Sequence, residues 1–354
     1  MRVGLNLGYW GAGNDAENLA LAVEADRLGY AVCWAAEAYG SDAVTVLAWV
    51  AAQTQRIDVG SAVLQIPART PTMTAMTAAT LDALSGGRFR LGLGVSGPQV
   101  SEGWHGVRFD RPLERTREYV DIVRMALRRE TVAYHGRHFR LPLPDGPGKP
   151  LKLTVHPVRP EIPIYLAAVG PKNLALTGEI ADGWLAIFFS PEHAALSLDP
   201  IRQARAASGR GPAEEPMAGF DVVASVPVSV ADDVAAAAGP LRGYAALYVG
   251  GMGSRQQNFY NALARRMGFE EAAQRVQDLY LDHRPRDAAA AVPLEFIDAT
   301  ALIGPLERIR DRLVRYAQAG VTTLSITPTA RDLEGRLQLL RGVADALDAA
   351  GVGS

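Results

Sequence analysis

Few side chains in this sequence have chemical potential, and their places in the chain decide what each could do. Glu37 closes the apolar run from Tyr30 to Ala36, and a carboxylate at a strand's end is where barrel enzymes put catalytic groups. Ala168-Val169-Gly170 leads into Pro171-Lys172-Asn173, where free amides at a helix start and one lysine make a natural phosphate site. The same residues also suit an ordinary strand-to-helix turn with a solvated lysine. Gly92-Leu93-Gly94-Val95-Ser96-Gly97 is a literal G-x-G-x-x-G after a strand, the form of a dinucleotide loop. Its context argues otherwise: Pro98 follows at once, and helical spacing resumes only at Pro112. The glycines read better as a strand end that leaves room for a flat ring.

Cys33 is the single cysteine. It lies inside an apolar run and reads as a buried thiol rather than a nucleophile, in a chain without intrachain disulfides. The remaining histidines, His135, His138, His156, His193 and His283, show no metal-ligand spacing, and no metal site is expected. No nucleophile-elbow G-x-S-x-G occurs either.

These residues must be positioned by a regular alternation of strands and helices. Apolar runs at Arg2–Leu7, Ala31–Ala36, Ile57–Leu64, Phe89–Leu93, Ile162–Ala167, Gly183–Ile187, Asp221–Val228 and Thr322–Ile326 read as strands. Helices are expected from Asn14 or Asp15, over Asp42–Gln53, from Thr70-Pro71 to Leu84, from Pro112, and near Pro171, Pro200, Ala231 and Leu333. An additional helix spans about Pro305 to Ala319. The alternation predicts a parallel sheet, and eight strands favour a closed (β/α)8 TIM barrel of the α/β class over an open sheet. The whole chain, 1–354, reads as one such domain with insertions at about 95–111, 131–160 and 239–293. A small hairpin is expected at Tyr134–Phe139 and a helix within Gln257–Tyr280, the insertions lying over the C-terminal rim. Trp10, Tyr39, Gln99, Glu102, Trp104 and His105 fall near the expected mouth, where Trp10, Tyr39, Trp104 and His105 are candidates for the substrate pocket.

With 48% hydrophobic and 21% charged residues the chain is globular, and a net charge of −2 offers no field for nucleic acid or an anionic membrane. No signal-peptide pattern opens the chain, and no stretch of about 18 apolar residues could span a bilayer. A soluble cytoplasmic protein with a small-molecule substrate is the expectation.

Five segments, in order, resemble the luciferase-like monooxygenase superfamily, in its coenzyme F420-dependent oxidoreductase branch. They are Trp34-Ala35-Ala36-Glu37-Ala38-Tyr39-Gly40-Ser41-Asp42, Gly60 to Pro71, Gly87-Arg88-Phe89-Arg90-Leu91-Gly92-Leu93-Gly94, Ala168 to Asn173, and Ala181-Asp182-Gly183-Trp184. The resemblance implies the barrel and coenzyme F420, with FMN as the alternative. It implies a bulge after the third strand with a non-prolyl cis bond at Ala62-Val63 backing the deazaflavin ring. It further implies coenzyme contacts from Glu37, Gln65, Ser96, Gly97, Ala168, Val169, Gly170 and Lys172, with Arg69, Arg255, Arg284 and Arg286 as weaker candidates for the coenzyme's acidic tail. Glu37 is also the catalytic candidate. Some relatives carry a histidine after the acid and a second acid beyond the fourth strand, where this chain has Ala38 and Gly97. That departure sets aside the sugar-phosphate dehydrogenase type of activity and favours reduction of an activated C=C or C=N bond. A homodimer is implied as well. Two rival readings stay open: an FMN-dependent monooxygenase, and a non-catalytic barrel that binds a flavin or a partner chain.

Overall fold

A computed structural model describes residues 1–10, 15–159 and 161–353, and within them eight parallel strands alternate with eight helices. The first half runs β1 (Arg2–Asn6), α1 (Asp15–Arg27), β2 (Val32–Ala35), α2 (Ala43–Gln53), β3 (Asp58–Ser61), α3 (Pro71–Leu84), β4 (Phe89–Gly94) and α4 (Pro112–Leu127). The second half runs β5 (Ile164–Ala167), α5 (Pro171–Ile180), β6 (Gly183–Ile187), α6 (Ala195–Ser208), β7 (Asp221–Val230), α7 (Leu306–Gln318), β8 (Thr323–Pro328) and α8 (Leu333–Ala350). Strand neighbours follow the order β5-β6-β7-β8-β1-β2-β3-β4. The sheet closes where β4 pairs with β5, Leu91 opposite Ile164 and Leu93 opposite Leu166. The expected α/β barrel is therefore the observed one.

Both faces of these strands are covered, which is why their sequences are nearly continuous apolar runs; every residue of β4 is buried. Outward side chains pack on the helices through Leu47, Val123, Ile309 and Leu340. Inward, Trp34 fills the barrel with Val32, Tyr165 and Val223, its ring centroid 5.4 Å from that of Tyr165. Gly60 admits it, since a Cβ there would strike the indole. The N-terminal end of the barrel is plugged by charge. Arg90 reaches Asp58 and Asp221, and Asp221 also takes Arg2, Tyr165, Thr322 and Thr323.

Helix starts at the C-terminal rim carry their own caps. The Asp42 carboxylate accepts from Thr45 N at 2.8 Å, Thr70 Oγ1 from Met73 N at 3.2 Å, and Asp332 from Gly335 N at 2.7 Å. The Asn14 alternative for capping α1 lies outside the described residues. α6 begins at Ala195, not at Pro200, because the 3-10 turn Pro191–His193 leads straight into it. The helix expected as additional is α7, the seventh barrel helix: Ile309, Leu313 and Tyr316 pack into the main core. The segment after Ala231 instead opens an insertion, because Ala237 and Ala238 join a second core.

That insertion runs from the end of β7 to Pro305, wider than 239–293. It holds the helices Phe259–Arg266, Glu270–Leu281, Pro285–Ala291 and Leu294–Thr300, closed by a strand Leu302–Gly304 on β7. The single helix expected within 257–280 is two, broken at Gly268 with φ +90°. Its core of Ala246, Val249, Leu263, Val276 and Phe296 takes in Phe188 from the end of β6, so the insertion sits on the C-terminal rim. The 131–160 segment does not share that rim. It joins the end of α4 to the start of β5, and Arg159 binds Asp82 and the Phe89 carbonyl at the opposite end of β4. Its hairpin, Tyr134–His135 with Arg140–Leu141, is fixed by the Glu118 carboxylate, which accepts the amides of Arg137, His138 and Phe139. No helix is long and apolar enough to cross a membrane among the described residues.

Candidate active site

The C-terminal ends of β2, β3, β4 and β5 bring most of the expected site residues onto one side of the mouth. β3 stops at Ser61, and the bond Ala62-Val63 is cis. Leu64–Gln65 then rejoins β4 opposite Leu93 and Gly94. The G-x-G-x-x-G run explains itself here. A Cβ on Gly92 would collide with the Ser61 carbonyl, and one on Gly94 would lie 2.5 Å from Val63 Cγ2. These glycines make room for the protein's own β3 end, rather than for a flat ring directly, and so set the height of the Ala62-Val63 shelf. The helix that follows Gly97 covers only Pro98–Gly103, too short for a dinucleotide fold's crossover.

Below the shelf runs a polar ladder. Gln65 Nε2 donates to Ser96 Oγ at 2.6 Å, and Gln65 Oε1 meets His105 Nε2 at 2.8 Å. With the amide oriented that way, His105 carries its proton on Nε2. Ser96 reaches the ladder through a left-handed backbone, φ +59°, uncommon for a residue with a Cβ. Glu37 anchors the ladder from beneath: its carboxylate accepts Gln65 N at 3.1 Å, Ala43 N at 3.2 Å and both terminal nitrogens of Arg69. Arg69 also pairs with Asp42 at 2.5 Å. Asp42 is exposed, and although partial desolvation pushes its carboxyl up, the Thr45 donors and Arg69 hold it below the usual aspartate range.

Two expectations change accordingly. Glu37 was the catalytic candidate, but its four acceptor positions are filled by protein donors, which leaves none facing a substrate. Arg69 was a candidate for the acidic tail, but its guanidinium is committed to Glu37 and Asp42.

The turn after β5 is differently built. Trp184 Nε1 takes the Ala168 carbonyl at 2.9 Å and Arg266 takes the Val169 carbonyl at 3.0 Å. The N–H groups of Val169, Gly170, Lys172 and Asn173 find no protein acceptor among the described residues. Lys172 is exposed beside them. The Arg266 guanidinium pKa is lowered by burial, and no carboxylate pairs with it among the described residues. Two cations and a row of free amides thus gather at this turn, and Val169 also borders a small cleft with Phe188, Ser190, His193 and Met267. This arrangement suits a phosphate.

The other pocket candidates divide. Trp10 is 7% exposed and packs edge-on against Trp49 of α2 at 5.6 Å, within the main core. Buried there, it offers little surface to a substrate. Tyr39 and Trp104 stand exposed on the rim, and Glu102 is occupied by Phe109 N. Arg255 pairs with Asp278 and Asp282, and Arg284 with Asp287. Their charges are spent within the insertion, and Arg286 is exposed on helix Pro285–Ala291. Sequence reasoning missed Arg266 and the aromatic group Tyr9, Phe188, Tyr244, Tyr248 and Tyr260. The Tyr244-x-x-x-Tyr248 spacing of one helical face was the available signal for the last.

The model of the luciferase-like monooxygenase family matches residues 8–323. A Mycobacterium tuberculosis protein provisionally named coenzyme F420-dependent oxidoreductase is 45% identical over 92% of this chain and 95% of its own. The solved structure of the coenzyme F420-dependent tetrahydromethanopterin reductase of Methanopyrus kandleri superposes with a TM-score of 0.80 at 23% identity, covering 96% of this chain and 97% of that one. An F420-dependent secondary alcohol dehydrogenase, solved with an F420-acetone adduct, gives 0.78 at 17% identity, covering 98% of each chain.

Proposed function

The chain belongs to the luciferase-like monooxygenase family, and we propose that it works there as a coenzyme F420-dependent oxidoreductase acting on an activated C=C or C=N bond of a small organic molecule. The observation that carries this reading is the placing of an apolar shelf and a cation-bearing, amide-rich turn on β3 and β5, either side of β4, in a chain 45% identical to an F420-dependent relative. When bound, the deazaflavin accepts or gives a hydride at C5. The chain's own share is placement. Ala62 and Val63 back one face of a planar ring, with Gly92 and Gly94 fixing their height. Glu37 holds Gln65 and Arg69 still, so that Gln65, Ser96, Gly97 and His105 present a defined polar edge. Val169, Gly170, Lys172 and Arg266 hold a phosphate. His105, bonded to Gln65 at the end of the ladder, is our candidate for supplying the substrate's proton in place of the relay that Ala38 and Gly97 lack.

The insertion excludes water from the β6–β1 side of the mouth. We assign a second copy of the chain as partner, supported by the exposed apolar side chains Trp49 on α2 and Met73 and Met76 on α3. Parallel fluorescence-quench titrations of the apo protein with F420 and FMN test the reading. Tight binding of F420 alone upholds it, and tight binding of FMN alone replaces it with oxygen-dependent chemistry.

A further inference from the structure

The roof over the mouth is aromatic throughout. Phe188, at the end of β6, lies with its ring centroid 5.5 Å from Tyr244, 5.7 Å from Tyr248, 6.3 Å from Tyr260 and 5.5 Å from Phe296. Tyr248 stands 4.7 Å from Tyr244 and 4.9 Å from Tyr260. Across the mouth, Tyr9 follows β1 and is 46% exposed. The Tyr244 and Tyr248 rings are in contact, and Tyr9 lies near enough to both for the three phenols to shift one another's titration. The insertion therefore bridges from β6 to β1 over the open barrel end, on the side away from β3 and β4.

We propose that this roof is the substrate subsite and takes an uncharged planar molecule, whose carbonyl oxygen accepts a hydrogen bond from Tyr248, with Tyr9 beside it. The assignment of a reducible substrate rests on the function proposed above; the subsite itself rests on the roof.

Tyr248 is held for this by its backbone. Leu247–Gly251 forms one π-helical turn, a rare geometry that recurs at functional sites. The wider turn displaces carbonyls from their usual partners, and two buried asparagines capture them. Asn258 Nδ2 donates to Tyr248 O at 3.0 Å and Val249 O at 3.1 Å, and Asn261 Nδ2 to Val249 O at 3.1 Å and Ala273 O at 2.8 Å. Gly250 lets Tyr280 close beneath, where a Cβ would lie 2.6 Å from Tyr280 Cβ. The position of Tyr248 is thus set before any ligand arrives.

The roof also selects against charge. Phe188 and Phe296 are buried, and Tyr248 and Tyr260 half-buried, in a core built of apolar side chains such as Ala246, Val249, Leu263 and Val276. Burial pushes Tyr260 up to about 12 and raises Tyr248 as well. A medium that disfavours phenolate disfavours a ligand carboxylate equally, whereas a ring face or edge favours a flat apolar skeleton.

Equilibrium dialysis of two probes, 4-phenyl-3-buten-2-one and cinnamate, against F420-loaded and cofactor-free protein tests this. The probes share a styryl frame and differ in charge. The enone is expected to bind at least roughly tenfold more tightly than cinnamate, and Tyr248→Phe to weaken the enone by about tenfold with F420 affinity unchanged. Tyr9→Phe, at a half-exposed position that does not endanger folding, is expected to weaken it by about two- to fivefold. Cinnamate binding as well as the enone, neither probe binding, or enone affinity unmoved in both variants overturns the proposal. So does loss of F420 affinity in Tyr248→Phe, which would give the roof to the coenzyme. If the protein binds no F420 yet holds the enone through Tyr248, the hydride-transfer reading falls and the subsite stands.

Discussion

Arg90 and Arg69 are both largely buried arginines gripping two carboxylates, at opposite ends of the same barrel, and their surroundings differ in what they leave open. At the N-terminal end Arg90 binds Asp58 and Asp221, while Asp221 gathers Arg2, Tyr165, Thr322 and Thr323 on its two oxygens. Every arm of that knot ends on another strand of the barrel or, for Thr322, on the residue just before one. At the C-terminal end Arg69 binds Glu37 and Asp42, but Glu37 also holds Gln65 N, and Gln65 passes the connection on to Ser96 and His105. One knot is closed on itself and can only hold the barrel shut. The other ties down loops while presenting side chains to the mouth, which is how a site is kept rigid without being sealed.

The largest test of this contrast is Asp221→Ala. It strands Arg90 and Arg2 near a buried hole, and a loss of about 3–5 kcal/mol in urea denaturation is expected, with F420 affinity of the folded variant unchanged. A coenzyme defect there would mean that the plug is not separate from the mouth. Gly94→Ala comes next. Its new Cβ would sit 2.5 Å from Val63 Cγ2, and such overpacking costs about 1–3 kcal/mol. Unlike the first variant it should weaken F420 binding, because it lifts the shelf; unchanged binding would detach Val63 from the coenzyme.

Glu37→Gln sharpens the comparison further. It removes the charge opposite Arg69 while keeping the shape, and a stability loss of about 1–2 kcal/mol is expected, with weaker F420 binding and turnover of bound substrate falling by less than about tenfold. A collapse of kcat with F420 affinity intact would return Glu37 to a catalytic role. The smallest effects separate free from committed cations. Arg266→Ala should weaken F420 by about tenfold, the scale of one charge-assisted contact, whereas Arg255→Ala should stay within about twofold because exposed ion pairs contribute little. Equal effects would show that the insertion's charge acts as a whole rather than through the turn after β5.

The strands and most helices were legible because their signals are local. Apolar runs bounded by glycine and proline, and caps such as Thr70-Pro71 and Asp332, act through neighbours a few residues away. What was misplaced depended on distant contacts. Pro200 looked like a helix start until the turn at Pro191–His193 carried it inside α6. The helix after Ala231 looked like a barrel helix until its alanines joined the second core.

The site divides in the same way. The sequence alone determined the eight-strand alternation, the turn Ala168–Lys172 and, by resemblance, the bulge at Ala62-Val63, since each is written in consecutive residues. The tertiary structure decided the roles. Glu37 has its last acceptor positions filled because Arg69, 32 residues away, folds back onto it. Trp10 is buried because Trp49, 39 residues on, packs against it. Gly92 and Gly94 proved to be seats for Ser61 and Val63. Arg266 came to the turn after β5 from 97 residues away. A side chain's chemistry is fixed by its type, but which of its hydrogen-bonding positions remain free is fixed by residues far along the chain, and only closure of the barrel brings those together.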